Sequence, residues 1–485
     1  GGGDLYRAAR DRRRRAAAVY SAAGAIFSAA LALASLLGPG LKVHAPGFLA
    51  LFSSYLWPLV LTLVLVVATT RRTKALILVV YVIGYVVITP YVYVRNPATS
   101  AAWLFFLDNV PPTCLFLIFL LRRVRAVGPL TVAFFLFATA GTELVNTVLL
   151  YNFDITRVVA SILFALGATG FWAFVAVNVM SFTVFALIGW VALLALRRAY
   201  RAKWVNDQSL VVDALWLFFA LYYAVDLASD RPLWALAGPV AFGLYLVTVR
   251  CGFPLLMPRR AARGGTTLLV LRVFSLGKKS EKLFESMSRH WRYAGPVQLL
   301  AGPDLAETTV EPYQFLDFVT GRLARQFISD QDALSRRIQE LDTRPDFDGR
   351  FRINDFFCRA HTWQATVAAM VEKVDAVFMD LRGFTSARLG STYEIQQLLL
   401  HIPVSRIILL TDATTDHAFL EQTAIRAWNA LPAGAPNREV QDPRLTIIEA
   451  GRNTERSLGV LLAALSQAAT AGPLVASRSL QPAVP

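Results

Sequence analysis

Stretches of about twenty apolar residues recur through the first half of this chain, and they constrain its fold more than any other feature. A helix rises 1.5 Å per residue, so about 20 residues cross a hydrocarbon core about 30 Å thick. Such stretches occupy 16–37, 47–69, 75–93, 101–121 and 127–151, with two more at 210–229 and 232–248. The basic residues between them set an orientation. Arg10, Arg12, Arg13, Arg14 and Arg15 precede the first stretch, Arg71, Arg72 and Lys74 follow the second, and Arg122, Arg123 and Arg125 follow the fourth. Every second junction is strongly basic. A cytoplasmic N-terminus satisfies all three clusters under the positive-inside rule.

The segment 157–196 is the ambiguous one. Forty residues make roughly 60 Å of helix, twice the core thickness. It is either two spans or one long helix, kinked near Gly167 or Gly170. One helix keeps Arg197, Arg198, Arg201 and Lys203 cytoplasmic, and the next two spans then return the chain to Arg250, Arg259, Arg260 and Arg263 on the same side. This reading gives an α-helical polytopic bundle of about eight spans over 1–263, an integral protein of an inner or plasma membrane with both termini cytoplasmic. Polar residues inside the spans are Asp108, Asn109, Glu143, Asn146, Asp213 and Asp226. Carboxylates at such depth serve ions or protons in a transporter, or hydrogen-bond neighbouring helices in the bundle interior. The absence of a visible inverted repeat favours the second role.

Charge supports the same division. Up to Arg263 there are 24 Lys and Arg against 9 Asp and Glu; beyond it there are 24 of each. The entire excess of +15 belongs to the membrane half. A phosphate-backbone-binding domain carries its own basic excess, so nucleic acid is not an expected partner. Cys114, Cys251 and Cys358 are too scattered for a disulfide framework or a zinc site.

From Thr267 short apolar runs alternate with amphipathic segments, the pattern of an α/β domain with a mainly parallel sheet, over 264–471. Strands are expected at 268–275, 296–302, 351–357, 375–380, 405–412 and 444–450. Helices are expected between them, including a long one from 311 to about 341; 342–348 reads as a surface loop and 472–485 as a flexible tail. In a parallel sheet the ligand crevice lies beyond the carboxyl ends of the strands. The residues placed there include Ser275, Gly277, Lys278 and Lys279, Asp304, Asp380, Arg382 and Gly383, and Asp412 and Asp416. "SLGKK" ends at a helix start, where free amides favour an anion and the two lysines add charge. It is not a P-loop, and no G-x-G-x-x-G follows any strand. Asp412 and Asp416 in "TDATTD" are expected to cap a turn and a helix.

The stretch "DAVFMDLRGFTSARLGSTYEIQQLL" ends a strand at Asp380, turns through Arg382 and Gly383, and carries Glu394 on the following helix. Here the chain resembles TIR and TIR-like domains. "VFSLGKKSEKLF" looks like that family's first strand and helix, and "LLAGPD" like its second strand and loop. The resemblance covers roughly 268–469. It implies a TIR-like, flavodoxin-like sheet and puts Glu394 at the position that, in enzymatic members, contacts the ribose of NAD during cleavage of the nicotinamide bond. "STY" stands where the family has a tryptophan–cysteine pair, and the unit between about 311 and 373 exceeds the compact pattern. The implied ligand is NAD or a related nucleotide, and the implied alternatives to catalysis are ligand binding and homo-oligomeric assembly. Two functions follow as expectations. One is a membrane-anchored sensor or signalling effector, such as a bacterial defence protein. The other is a transporter or channel with a regulatory α/β domain.

Overall fold

A computed structural model describes residues 2–37, 45–67, 71–88, 105–106, 109–114, 117, 128–168, 170–228, 232–257, 265–272, 278–301, 327–359, 361–451 and 454–470. They fall into two compact units. One lies within Arg13–Pro258; the other lies within Gly1–Arg12, Arg259–Thr309 and Arg322–Pro485.

The first unit is mostly helical: α1 (Gly2–Leu37, from Arg13 onward), α2 (Ala45–Tyr55), α3 (Trp57–Val66), α4 (Arg71–Ile88), α5 (Gly128–Tyr151), α6 (Phe153–Ala165), α7 (Gly170–Arg201), α8 (Asp207–Ala228) and α9 (Ala237–Leu256). Among the described residues five helical stretches are long and apolar enough to cross a membrane: Arg7–Leu37, Gly47–Val66, Gly170–Arg201, Asp207–Ala228 and Leu233–Leu256. They answer to the expected spans at 16–37, 47–69, 210–229 and 232–248, with α7 taking most of 157–196. The expected span at 101–121 lies largely outside the described residues. α7 presents Phe171, Trp172, Phe174, Leu187 and Val191 outward. Apolar surface on that scale is stable only against an apolar surrounding. α8 is the buried hub. Its Trp216 stacks on Tyr245, meets Phe27 edge-on, and donates to Thr62 Oγ1 at 3.0 Å.

The single kinked helix expected over 157–196 is instead two helices. α6 ends before Gly167, at φ +83°, and α7 begins at Gly170, at φ +43°. Left-handed residues cannot propagate a right-handed helix, so the bend becomes a break. A second break precedes it. Asn152 adopts an extended backbone and caps α6 through Ile155 N, and Phe137–Tyr151 and Phe153–Ala165 meet at 107°.

The second unit holds a seven-stranded sheet in the order β3-β4-β2-β1-β5-β6-β7, with every pairing parallel. The strands are β1 (Leu268–Arg272), β2 (Val297–Ala301), β3 (Phe327–Ile328), β4 (Ile353–Cys358), β5 (Ala376–Asp380), β6 (Ile407–Thr411) and β7 (Thr446–Glu449). All six expected strands are present, embedded where apolar side chains alternate to both faces. Leu269, Leu271, Val377, Met379 and Leu409 face α11 (Gln331–Gln339), α12 (Trp363–Val371), α13 (Leu389–His401) and α14 (His417–Asn429). Leu268, Val270, Phe378 and Leu410 face α10 (Lys278–Trp291) and α15 (Thr454–Thr470).

One expectation fails in this unit. The part of the long 311–341 helix that is described is a short strand, β3, followed by α11. Asp330 is extended and accepts from Ala333 N at 2.7 Å, which starts a new helix, while Ile328 is spent in the core and in pairing with Cys358. The segment 342–348 is a loop as expected, with Thr343 and Arg344 exposed, but two of its side chains turn inward. Asp346 and Asp348 are buried, Asp346 with Arg352 at 2.9 Å and Asp348 with Arg350 at 2.7 Å. Arg12 groups with this unit through its bonds to the carbonyls of Tyr293 (2.6 Å) and Gly349 (3.0 Å).

Candidate functional site

The chain order reverses across β1. β2 lies on one side of it and β5 on the other, which makes this edge a topological switch point. Arg272 and Asp380 are register partners at this edge. This is where the sequence placed the crevice.

On the β5 side the loop is closely bonded. Asp380, only 2 % exposed, is held by Arg382 in a bidentate pair, Nε to Oδ1 at 2.8 Å and Nη2 to Oδ2 at 2.7 Å. Gly383 takes φ +71°, which lets the turn close so that Phe384 N reaches Leu381 O. The neighbouring β6 loop is fastened to it. Thr415 Oγ1 donates to Leu381 O, and Asp416 N to Phe384 O. Asp412 accepts from Thr414 N and Asp416 caps α14 through Phe419 N, the capping roles expected of both.

Glu394 sits one turn into α13. Ser391, Glu394, Ile395 and Leu398 recur at the helical spacing that faces a core, so the phase of the helix carries a carboxyl inward. It is 1 % exposed, and its Oε2 has no hydrogen-bond partner among the described residues. Burial pushes its carboxyl up to about 8, so at neutral pH the side chain is mostly protonated. Two hydroxyls with buried, unpartnered oxygens lie on the same elements or face: Thr392 on α13, and Thr411, which alternates with Ile407 and Leu409 toward α13. A neutral carboxylic acid can donate one hydrogen bond and accept others, but in this state it is not an ionised group open to solvent.

Of the remaining expected residues, Ser275 and Gly277 lie outside the described residues, and Lys278 and Lys279 are described only as backbone in the first turn of α10. Whether that loop faces Glu394 therefore also lies outside them. Among the described residues no group of three or more His, Cys, Asp or Glu could hold a metal. Cys358 is buried and its thiol is pushed up to about 11 by desolvation, which makes it a poor nucleophile.

Sequence reasoning missed two features. Trp363, at the start of α12, meets Tyr393 edge-to-face at 5.2 Å and joins two helix starts at the carboxyl edge. Nothing in the local sequence marks this pair, because the rings come from separate βα units. The ion pairs of Asp346, Asp348, Arg350 and Arg352 did carry a signal. Four charges at every second position, two acidic and then two basic, can fold back on one another. In the membrane unit Asp213 is paired with Arg250 at 3.2 Å and accepts from Tyr245 at 3.1 Å, and Asn109 bonds Tyr223 and Ser54. Both side chains thus bond neighbouring helices. No family model, curated protein or solved structure matches the chain.

Proposed function

We propose that this is a membrane-anchored sensor or signalling effector whose α/β domain is TIR-like and acts by binding a nucleotide, NAD or a relative, or by self-assembly. The observation that carries the reading is strand order. The run β2-β1-β5-β6-β7 repeats the 2-1-3-4-5 order of flavodoxin-like sheets, with β4 and β3 added beyond β2. Its reversal at β1 and β5 supports a ligand edge at the Asp380 loop, and the next helix carries Glu394. A defence or stress effector is the concrete form of this function, by analogy of fold.

Ligand binding or assembly fits the present state better than turnover. Cleavage of a nicotinamide bond needs a carboxylate beside the ribose to stabilise an oxocarbenium-like centre. A buried, protonated Glu394 would have to be uncovered and ionised first. The test uses the full chain in lipid nanodiscs, with NAD consumption and nucleotide binding measured in parallel. Turnover abolished by Glu394→Gln, with binding retained, identifies an enzyme. Nucleotide binding or concentration-dependent self-association without turnover identifies a binding or assembly module. Absence of all three removes the proposal.

Eight spans with both termini cytoplasmic complete the proposed arrangement, supported by the alternation of basic clusters at 10–15, 71–74, 122–125 and 250–263. Reporter fusions before Ala16 and after Arg263 should give the same cytoplasmic signal. Opposite signals would require an odd number of spans.

A further inference from the structure

A cavity of about 410 Å3 opens between α13, α14, β6 and β7, and Glu394 is not among its lining residues. Its apolar lining is wholly aliphatic, so it offers no ring on which a nucleobase could stack. Ile407 and Leu420 are buried in its wall, whereas Ile425 and Ile447 remain 51 % and 50 % exposed. One end carries His417 and Glu421, one helical turn apart on α14. α15 packs on the other face of the sheet.

We propose that this groove is the docking site of the chain's own C-terminal segment, 473–485, which lies outside the described residues. Three observations select this occupant. α15 ends at Thr470 after packing against the turn Val404–Arg406 that precedes β6, so the chain continues from the amino edge of the sheet, the end at which Ile407 starts. Passing round β7 to the opposite face needs on the order of 25 Å, or about seven extended residues at roughly 3.4 Å each. That brings the segment around Arg478 and Leu480 to the groove. The segment is also of matching chemistry. It offers Leu474, Val475, Leu480 and Val484, and its one charged residue is Arg478, opposite in sign to Glu421 at the rim.

The test is a cross-link in the full chain, with Cys114, Cys251 and Cys358 each replaced by Ala. Ile425→Cys and Leu480→Cys, treated with a short bismaleimide, should link within one chain. Glu421→Arg should lower the yield about two- to fivefold, the range of one exposed ion pair. Adding Arg478→Glu should restore it. Glu421 and Ile425 are exposed and Arg478 and Leu480 lie in the tail, so these four changes spare the core. Because Cys358 is buried, the cysteine-free parent is first checked for an unchanged thermal transition. A link only between chains overturns the proposal in favour of a second copy. A link unaffected by the charge reversal, or no link at all, also overturns it. So does native mass spectrometry that finds an apolar small molecule retained equally by the full chain and by one ending at Gly472.

Discussion

The guanidinium of Arg382 closes back on Asp380, two residues earlier, with both nitrogens of its fork within 2.8 Å of the carboxylate. The charge that the loop sequence offers to a phosphate is therefore already engaged. Removing the guanidinium takes a bidentate partner from a carboxylate that is only 2 % exposed, at a cost of about 3 kcal/mol. Arg382→Ala should accordingly speed hydrogen exchange of the β5 and β6 amides by about a hundredfold. Pairing it with Asp380→Asn should recover part of the loss. If Arg382 instead serves an anion site, its replacement will weaken nucleotide binding and leave exchange unchanged.

Glu394 makes stability depend on pH with a definite sign. The unfolded carboxyl ionises near 4.5 and the folded one near 8, so the folded form keeps a proton that the unfolded form has lost. Its contribution is fully present below about pH 4.5, declines as pH rises, and is lost above about 8. At pH 7 the penalty reaches up to about 3 kcal/mol. Glu394→Gln should therefore slow exchange of the α13 amides at pH 8 and change little at pH 4.5. A variant less protected than the parent at pH 8 would mean that the carboxylate is bonded in the folded form.

Asp346 has no exposed side-chain surface and holds Arg352 at 2.9 Å, with Asp342 at 3.7 Å from the same nitrogen. Asp346→Ala removes the nearer carboxylate from a buried guanidinium at the start of β4 and should cost about 3 kcal/mol. Limited proteolysis of the full chain should then cut within 342–352, where the parent resists. Asp442→Ala is the control. Its pair with Arg444 is exposed on both sides, and its loss should be silent.

The break between α6 and α7 can be tested by backbone strain alone. A Cβ at Gly167 would meet no atom within 4 Å, yet φ is +83°. Gly167→Ala should destabilise the detergent-solubilised chain by about 1–2 kcal/mol. Gly243, inside α9, has equal room and ordinary helical φ, so Gly243→Ala should stabilise by about 0.5–1 kcal/mol. Thermal unfolding of the two variants should therefore shift in opposite directions.

Period and composition determined most of the architecture. Apolar runs of about twenty residues located four of the spans, and short apolar runs of six to eight residues located six strands, because burial is encoded locally in the length and spacing of apolar residues. The turn at Gly383 and the cap at Asp416 were legible for the same reason: each acts on backbone within a few residues. Tertiary structure alone decided the rest. Strand order across β1 arises from pairings between residues more than a hundred positions apart, such as Leu268 with Ala376. The break at Gly167 depends on φ, which glycine leaves free. The state of Glu394 depends on which neighbours exclude water from it, and a helix-borne glutamate reads the same in sequence whether it is solvated or buried. Local physics fixed the elements; the long-range packing of those elements fixed the chemistry of the side chains between them.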